Sequence, residues 1–236
     1  MIVFYTTEVN DAWASFQKEE ATHIAKVLRK KEGAVIHFID GVGGKYQGEI
    51  FSIDKKEVKV RIIEREFLPI ITPKLHLAIA PTKNISRFEW FLEKATEIGV
   101  SEITPIITAH SERKHIRLDR LQKVLVAAVK QSLQASIPKL NPLVKLSTFL
   151  ENQSILGTNQ SKFIAYISPE VNEPLKNNYS QGKDVVMLIG PEGGFAPEEA
   201  EKANQFGFQS INLGPNRLRT ETAGIVAVST LRILNS

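Results

Sequence analysis

The sequence predicts an α/β protein in which a β-rich N-terminal part precedes a parallel sheet built from alternating strands and helices. Three observations predict it. Strand-like alternation dominates the first 70 residues or so. The stretch Leu68-Pro69-Ile70-Ile71-Thr72-Pro73-Lys74 then interrupts the pattern with two prolines. Beyond it, apolar strands alternate with amphipathic helices, which is how a parallel sheet covered on both faces reads. The break sets the domain boundary, giving domains of residues 1–70 and 71–236.

In the first domain a short helix is expected over about Glu20 to Arg29. Ala34–Ile39 and Lys45–Phe51 flank the turn-rich Asp-Gly-Val-Gly-Gly and read as a hairpin. Glu57–Glu64 alternates Val58, Val60 and Ile62 as a half-buried strand does. In the second domain Leu75–Ala80 and Ile103–Thr108 are apolar strands. Between them a helix runs from a Ser86/Glu89 capping box to Gly99, with Ile85, Phe88, Leu92 and Ala95 on one face. Asp119–Ser132 is the next helix, with Asp119 as N-cap. Phe163–Ile167 and Val185–Ile189 are buried strands. Pro197 opens another helix, and Gly207 follows its end. Ser210–Leu213 is the last strand and Thr222–Leu234 the last helix.

Composition narrows the function. Apolar residues make up 42% of 236, enough for a real core. The net charge of +4 permits a polyanionic partner without demanding one. With no cysteine, there is no disulfide, thiolate nucleophile or Cys-ligated metal. The five histidines show no metal-ligand spacing, so no metal is expected. The first residues lack a signal-peptide pattern, and no apolar run reaches membrane-spanning length. A cytoplasmic protein with no membrane contact is the expectation.

Two Gly-Pro turns follow apolar strands: Leu188-Ile-Gly-Pro-Glu-Gly-Gly-Phe195 and Leu213-Gly-Pro-Asn-Arg-Leu-Arg-Thr-Glu-Thr-Ala-Gly224. Ligands of open α/β sheets bind at such strand ends. A phosphate cradle is disfavoured, because neither turn carries a phosphate-binding glycine pattern and the first holds Glu192. A carboxylate suits hydroxyls, an amino group or a sulfonium. Either turn alone reads as an ordinary turn. Two of them, both polar and both at strand ends, read as a site.

The two turns together with Phe88-Glu-Trp-Phe-Leu-Glu-Lys-Ala-Thr-Glu-Ile-Gly-Val100 resemble the RsmE family of the SPOUT superfamily. Its members methylate N3 of uridine 1498 in bacterial 16S ribosomal RNA. His23–Arg29 and Asp40–Ile50 resemble the family's N-terminal PUA-like β-barrel, so the likeness spans nearly the whole chain. It implies a C-terminal SPOUT domain with a deep trefoil knot, S-adenosylmethionine (SAM) as cofactor, a homodimer, and 16S rRNA in the small ribosomal subunit as partner. It further implies cofactor contacts from Ser168, Ile189, Gly190, Glu192, Gly193, Leu213, Gly214, Leu218, Thr220, Thr222 and Ala223. Where relatives read Arg-Ile-Leu-Arg, this chain has Asn216-Arg217-Leu218-Arg219, which moves one arginine by one place.

RNA contacts are expected from two groups of cations. Lys26 and Arg29 fall beside Lys30 and Lys31, although residues 1–70 balance eleven basic against eleven acidic residues. A helix end with cations on its dipole explains that cluster equally well. The segment from His110 to Lys130 is more basic, and Arg113, Lys114, Arg117 and Arg120 read as a phosphate-contacting face. Arg217 joins this set. Phe4 and Tyr5 suit either base stacking or a core strand.

Methyl transfer to uridine N3 requires loss of the N3 proton, so a base or an anion-stabilising group is useful. Arg219 and Glu221 are the catalytic candidates. Arg219 stays protonated and suits an anionic oxygen or a phosphate. Glu221 suits proton removal, or simply a carboxylate on a helix N-terminus. Two other readings fit the same sequence: ribose 2′-O-methylation in the same pocket, and RNA binding without catalysis.

Overall fold

The structure is a computed structural model, and it describes residues 1–54, 56–152, 160–167 and 173–236. The chain forms two compact units. One comprises Met1–Ile70 with Val126–Ile137, the other Ile71–Leu125 with Pro138–Ser236.

The first unit is built on a six-stranded sheet. Its elements are β1 (Val3–Tyr5), β2 (Glu8–Val9), β3 (Trp13–Gln17), α1 (Lys18–Thr22), β4 (Val35–Ile39), β5 (Gly44–Ile53) and β6 (Glu57–Phe67), in sheet order β1-β4-β5-β6-β3-β2. The helix expected over Glu20–Arg29 lies two residues earlier and is irregular: α1 passes into a π-helical turn, His23–Val27. The expected hairpin is present between β4 and β5. Asp40 Oδ1 accepts the N–H groups of Val42 at 2.8 Å and Gly44 at 2.9 Å, which closes the turn. Phe4, Phe16, Ile24, Phe38, Ile50, Val58 and Val60 form the core. Phe4 is thus a core residue, edge-on to Phe16 and His23, and is not available for stacking a base.

The second unit holds β7 (Leu75–Ile79), α2 (Ile85–Ile98), β8 (Glu102–Ile107), α3 (Leu118–Gln131), β9 (Lys139–Leu140), β10 (Val144–Lys145), α4 (Leu146–Glu151), β11 (Gln160–Ala165), α5 (Leu175–Asn178), β12 (Asp184–Ile189), α6 (Pro197–Gln205), β13 (Gln209–Ile211) and α7 (Thr220–Ile233). The last turns of α3, from Val126, belong to the first unit. The sheet runs β10-β8-β7-β12-β11-β13, with β9 also on β8, and every pairing is parallel. All five residues of β7 are buried, as a central parallel strand requires.

Helix ends differ from the expectation in instructive ways. Asn84, not a Ser86/Glu89 box, caps α2: its Oδ1 accepts the Ser86 N–H at 3.1 Å. Gly99 stops that helix at φ +108° as expected. Because α3 begins at Leu118, Asp119 lies inside the first turn rather than capping it. Its carboxylate takes the Arg117 guanidinium at 2.8 Å. The last helix starts two residues early, so Thr220 and Glu221 are helical. It packs on α2 through Gly224, where a Cβ would come within 2.5 Å of Phe91 and 3.0 Å of Ile79. At its other end Arg232 donates to Gly99 O at 3.0 Å and Pro73 O at 2.8 Å.

Candidate active site

Register puts three strand ends side by side. Ala165 on β11 pairs with both Ile189 on β12 and Ile211 on β13. The two Gly-Pro turns leave β12 and β13 at this common edge, and side chains tie one to the other. Thr220 Oγ1 donates to Gly190 O at 3.0 Å, and Arg217 donates to Glu192 O at 3.0 Å. Between the turns lies a cavity of about 640 Å³, within the range of about 300–1,000 Å³ common for ligand sites.

Nine expected cofactor residues line this cavity. Ile189, Gly190, Glu192 and Gly193 come from the first turn. Leu213, Gly214, Leu218, Thr220 and Ala223 come from the second. Ser168 lies outside the described residues. Thr222 does not face the cavity. Arg217, expected on RNA, lines it instead. The sequence reading missed Ala165, Tyr166 and Ile167, the third wall. Their only signal is that β11 is a buried strand in register with the other two.

Neighbouring loops brace the first turn. Glu192 Oε1 accepts the Lys83 N–H at 3.0 Å. His110 Nδ1 donates to Gly194 O at 3.1 Å, and Glu199 Oε1 accepts the Ala109 N–H at 2.9 Å. Arg113, expected on phosphate, spends its guanidinium on Thr82 O at 3.0 Å and Lys83 O at 2.6 Å.

The two catalytic candidates are placed elsewhere. Residues 217–223 divide between two sides, with Arg217, Leu218, Thr220 and Ala223 lining the cavity. Arg219, Glu221 and Thr222 look into a second cleft of about 370 Å³, completed by Ser86, Arg87 and Trp90 of α2. Glu221 is buried at 6% exposure in the first turn of α7, where the helix dipole favours an anion. Its Oε1 lies 3.9 Å from Arg87 Nε. Its Oε2 is buried with no hydrogen-bond partner among the described residues.

The remaining cations fall into two separate sets. Lys26 and Arg29 are exposed in the first unit. Lys114, Arg117 and Arg120 are exposed in the second. Arg120 reaches Glu89 at 2.8 Å. Among the described residues no cluster of three or more His, Asp or Glu is arranged to hold a metal ion. No described helix is long and apolar enough to cross a membrane.

The RNA methyltransferase domain family matches residues 71–232, and the RNA methyltransferase PUA domain family matches residues 16–63. A curated relative from Rickettsia conorii, ribosomal RNA small subunit methyltransferase E, is 29% identical over 91% of this chain and 86% of its own. The chain belongs to the RsmE family of RNA methyltransferases. Two solved structures extend the match. A probable rRNA methyltransferase from Porphyromonas gingivalis shares 36% identity and a TM-score of 0.90, covering 100% of this chain and 98% of that one. A putative methyltransferase from Legionella pneumophila, in complex with bound SAM, shares 30% identity and a TM-score of 0.87, covering 99% and 98%.

Proposed function

We propose that this chain transfers the methyl group of SAM to N3 of uridine 1498 of 16S rRNA in the small ribosomal subunit. The observation that carries the reading is the cavity closed by two hydrogen-bonded Gly-Pro turns in an RsmE-family chain. Its residues fit the cofactor. Ile189, Ile211, Leu213 and Leu218 supply an apolar face for a flat base, and the glycines bring backbone N–H and C=O groups to its edge. Glu192 and Thr220 supply polar groups suited to hydroxyls and an amino group. When bound, SAM supplies an electrophilic methyl on a sulfonium. The chain's own part is to hold donor and acceptor in line and to exclude water.

Arg219 and Glu221 act on the acceptor in this reading. The Arg219 guanidinium holds a uracil oxygen or a phosphate, and Glu221 receives the N3 proton. Lys114, Arg117 and Arg120, together with Lys26 and Arg29, contact phosphates. The family match supports the deep trefoil knot as the chain's path around the cavity, and supports action in the cytoplasm. A homodimer is part of the same reading. Ile225 and Val226 on α7 are only partly covered, and Ile233 is 71% exposed, so an apolar stripe awaits a second copy.

Labelled methyl transfer to unmethylated small subunits, followed by mapping of the modified nucleotide, tests the proposal. Label at N3 of uridine 1498 is expected. Label on a ribose 2′-oxygen or on another nucleotide would overturn it.

A further inference from the structure

We propose that Arg217 binds the carboxylate of SAM, and that Arg217 and Glu192 together select a ligand with a zwitterionic end. The inference rests on the cofactor reading of the cavity given above and assigns its charged groups. Two observations carry it. First, Glu192 and Arg217 are the only charged side chains among the described residues that line the cavity, one of each sign. Second, they stand together. Arg217 Nη2 donates to Glu192 O at 3.0 Å, which joins the tips of the two Gly-Pro turns.

The chemistry of the ligand matches this pair. SAM carries one anion, its α-carboxylate, beside an α-ammonium. An acidic wall alone would attract the ammonium and the sulfonium and would repel the carboxylate. A guanidinium beside the acid removes that repulsion. Donor counting favours Arg217 for the task. Its planar fork carries five N–H donors. One is spent on Glu192 O, and the described residues accept none of the others. Arg113 is the contrast, because its fork is held by Thr82 O and Lys83 O. Arg217 is exposed, so its remaining donors meet water until a carboxylate takes them as charge-assisted bonds. The tie to Glu192 O already fixes one nitrogen, so less freedom is lost on binding. Glu192 is prepared in the same way. Its Oε1 takes the Lys83 N–H at 3.0 Å, which leaves Oε2 for the ammonium. The other cross-turn tie, from Thr220 to Gly190 O, lies at a residue only 4% exposed. The cavity is thus polar and open at its charged tips and apolar at Ile189 and Ile211, both buried. That contrast suits a ligand with a hydrated amino-acid end and a flat base.

Calorimetry with two ligands tests the assignment. One is S-adenosylhomocysteine. The other is its decarboxylated analogue, which keeps the adenosine, the thioether and the amino group. The full chain is expected to bind S-adenosylhomocysteine about tenfold or more tighter than the analogue, as a charge-assisted hydrogen bond supplies. Arg217→Ala is expected to weaken S-adenosylhomocysteine about tenfold and to leave the analogue unchanged, so the preference disappears. Arg217→Lys is expected to keep part of it, because lysine retains the charge without the planar fork. Glu192→Gln is expected to weaken both ligands by the same factor, since both carry the ammonium. Cooperative thermal unfolding of each variant checks that it is folded. An equal loss for both ligands in Arg217→Ala would overturn the proposal, because the arginine would then only tie the turns together. An undiminished preference in that variant would overturn it as well, because another group would hold the carboxylate. Equal binding of the two ligands by the unaltered chain would remove the carboxylate subsite and leave the cavity. Binding of neither would remove the cofactor reading beneath it.

Discussion

Glu192, at the tip of the first Gly-Pro turn, accepts the Lys83 N–H through Oε1 at 3.0 Å, across 109 residues of sequence. One carboxylate thus does two things: it faces the cavity and it pins the loop after β7. Glu192→Ala removes both and is expected to weaken SAM binding about 10–100-fold, since hydrogen bonds to charged groups contribute roughly 1.5–3 kcal/mol. Glu192→Gln keeps an acceptor for Lys83 and is expected to lose less. Calorimetric titration of both variants checks the order.

Gly193 lines the same cavity, and a Cβ there would stand 3.0 Å from His110 Cβ. Gly193→Val is expected to abolish measurable SAM binding while thermal unfolding stays cooperative. Wild-type affinity in that variant would remove the cavity as the cofactor site.

Lys114, Arg117 and Arg120 are expected to make sequence-independent phosphate contacts. Reversing each charge should lower the slope of log affinity against log salt by about one. Arg113 is expected to behave differently, because its guanidinium is held by Thr82 O and Lys83 O. Arg113→Ala should disturb the loop that Glu192 pins, and so weaken SAM binding, with little change in the salt slope. Filter binding of RNA over a salt series separates the two behaviours.

Glu221→Gln keeps shape and removes the base. If Glu221 takes the N3 proton, single-turnover methylation at saturating SAM should fall about 10²–10⁴-fold. The rate should recover as pH rises and uracil ionises unaided. Arg219→Ala is expected to cost at least as much, because it removes the group on the uracil oxygen. A near-wild-type rate for Arg219→Ala would remove that arginine from the mechanism.

His76 is buried on β7, with Nε2 2.7 Å from Thr104 Oγ1. Burial lowers its pKa from 6.5 to about 4. The unfolded chain therefore binds the proton first as pH falls. The contribution is complete above about pH 6.5 and is lost progressively down to about pH 4, a span worth about 3 kcal/mol. Glu102, whose pKa is also lowered, acts in the same direction. Urea unfolding over this pH range should show the loss, and His76→Gln should flatten it.

Much of this was legible in the chain. β7, β8 and β12 are long apolar runs, and their parallel pairing follows from the helices between them. The Gly-Pro turns announced themselves because glycine and proline mark abrupt changes of direction. The short elements did not show. β9 and β10 are two residues each, too short for any period. Tyr166 and Ile167 look like the tail of a strand, and only the register of the preceding Ala165 with Ile189 and Ile211 reveals them as a wall. Arg113 and Arg217 share a residue type with phosphate binders. Carbonyl oxygens distant in sequence decide their use, and nothing local encodes that. The division of residues 217–223 between cavity and cleft was equally hidden, because α7 begins two residues earlier than its apolar pattern.

The pairing of β7 with β12 has a consequence for synthesis. Lys74 N–H meets Asp184 Oδ1, and the two residues stand 110 positions apart. At about 5–20 residues per second, the ribosome needs roughly 5–20 s to make that stretch. Throughout that interval β7 is an apolar strand with one long edge open. The loop at Lys83 waits as long for Glu192, and α2 waits longer for Gly224. A nascent chain halted within this window exposes apolar surface to chaperones and proteases, and has nowhere to hold its cofactor.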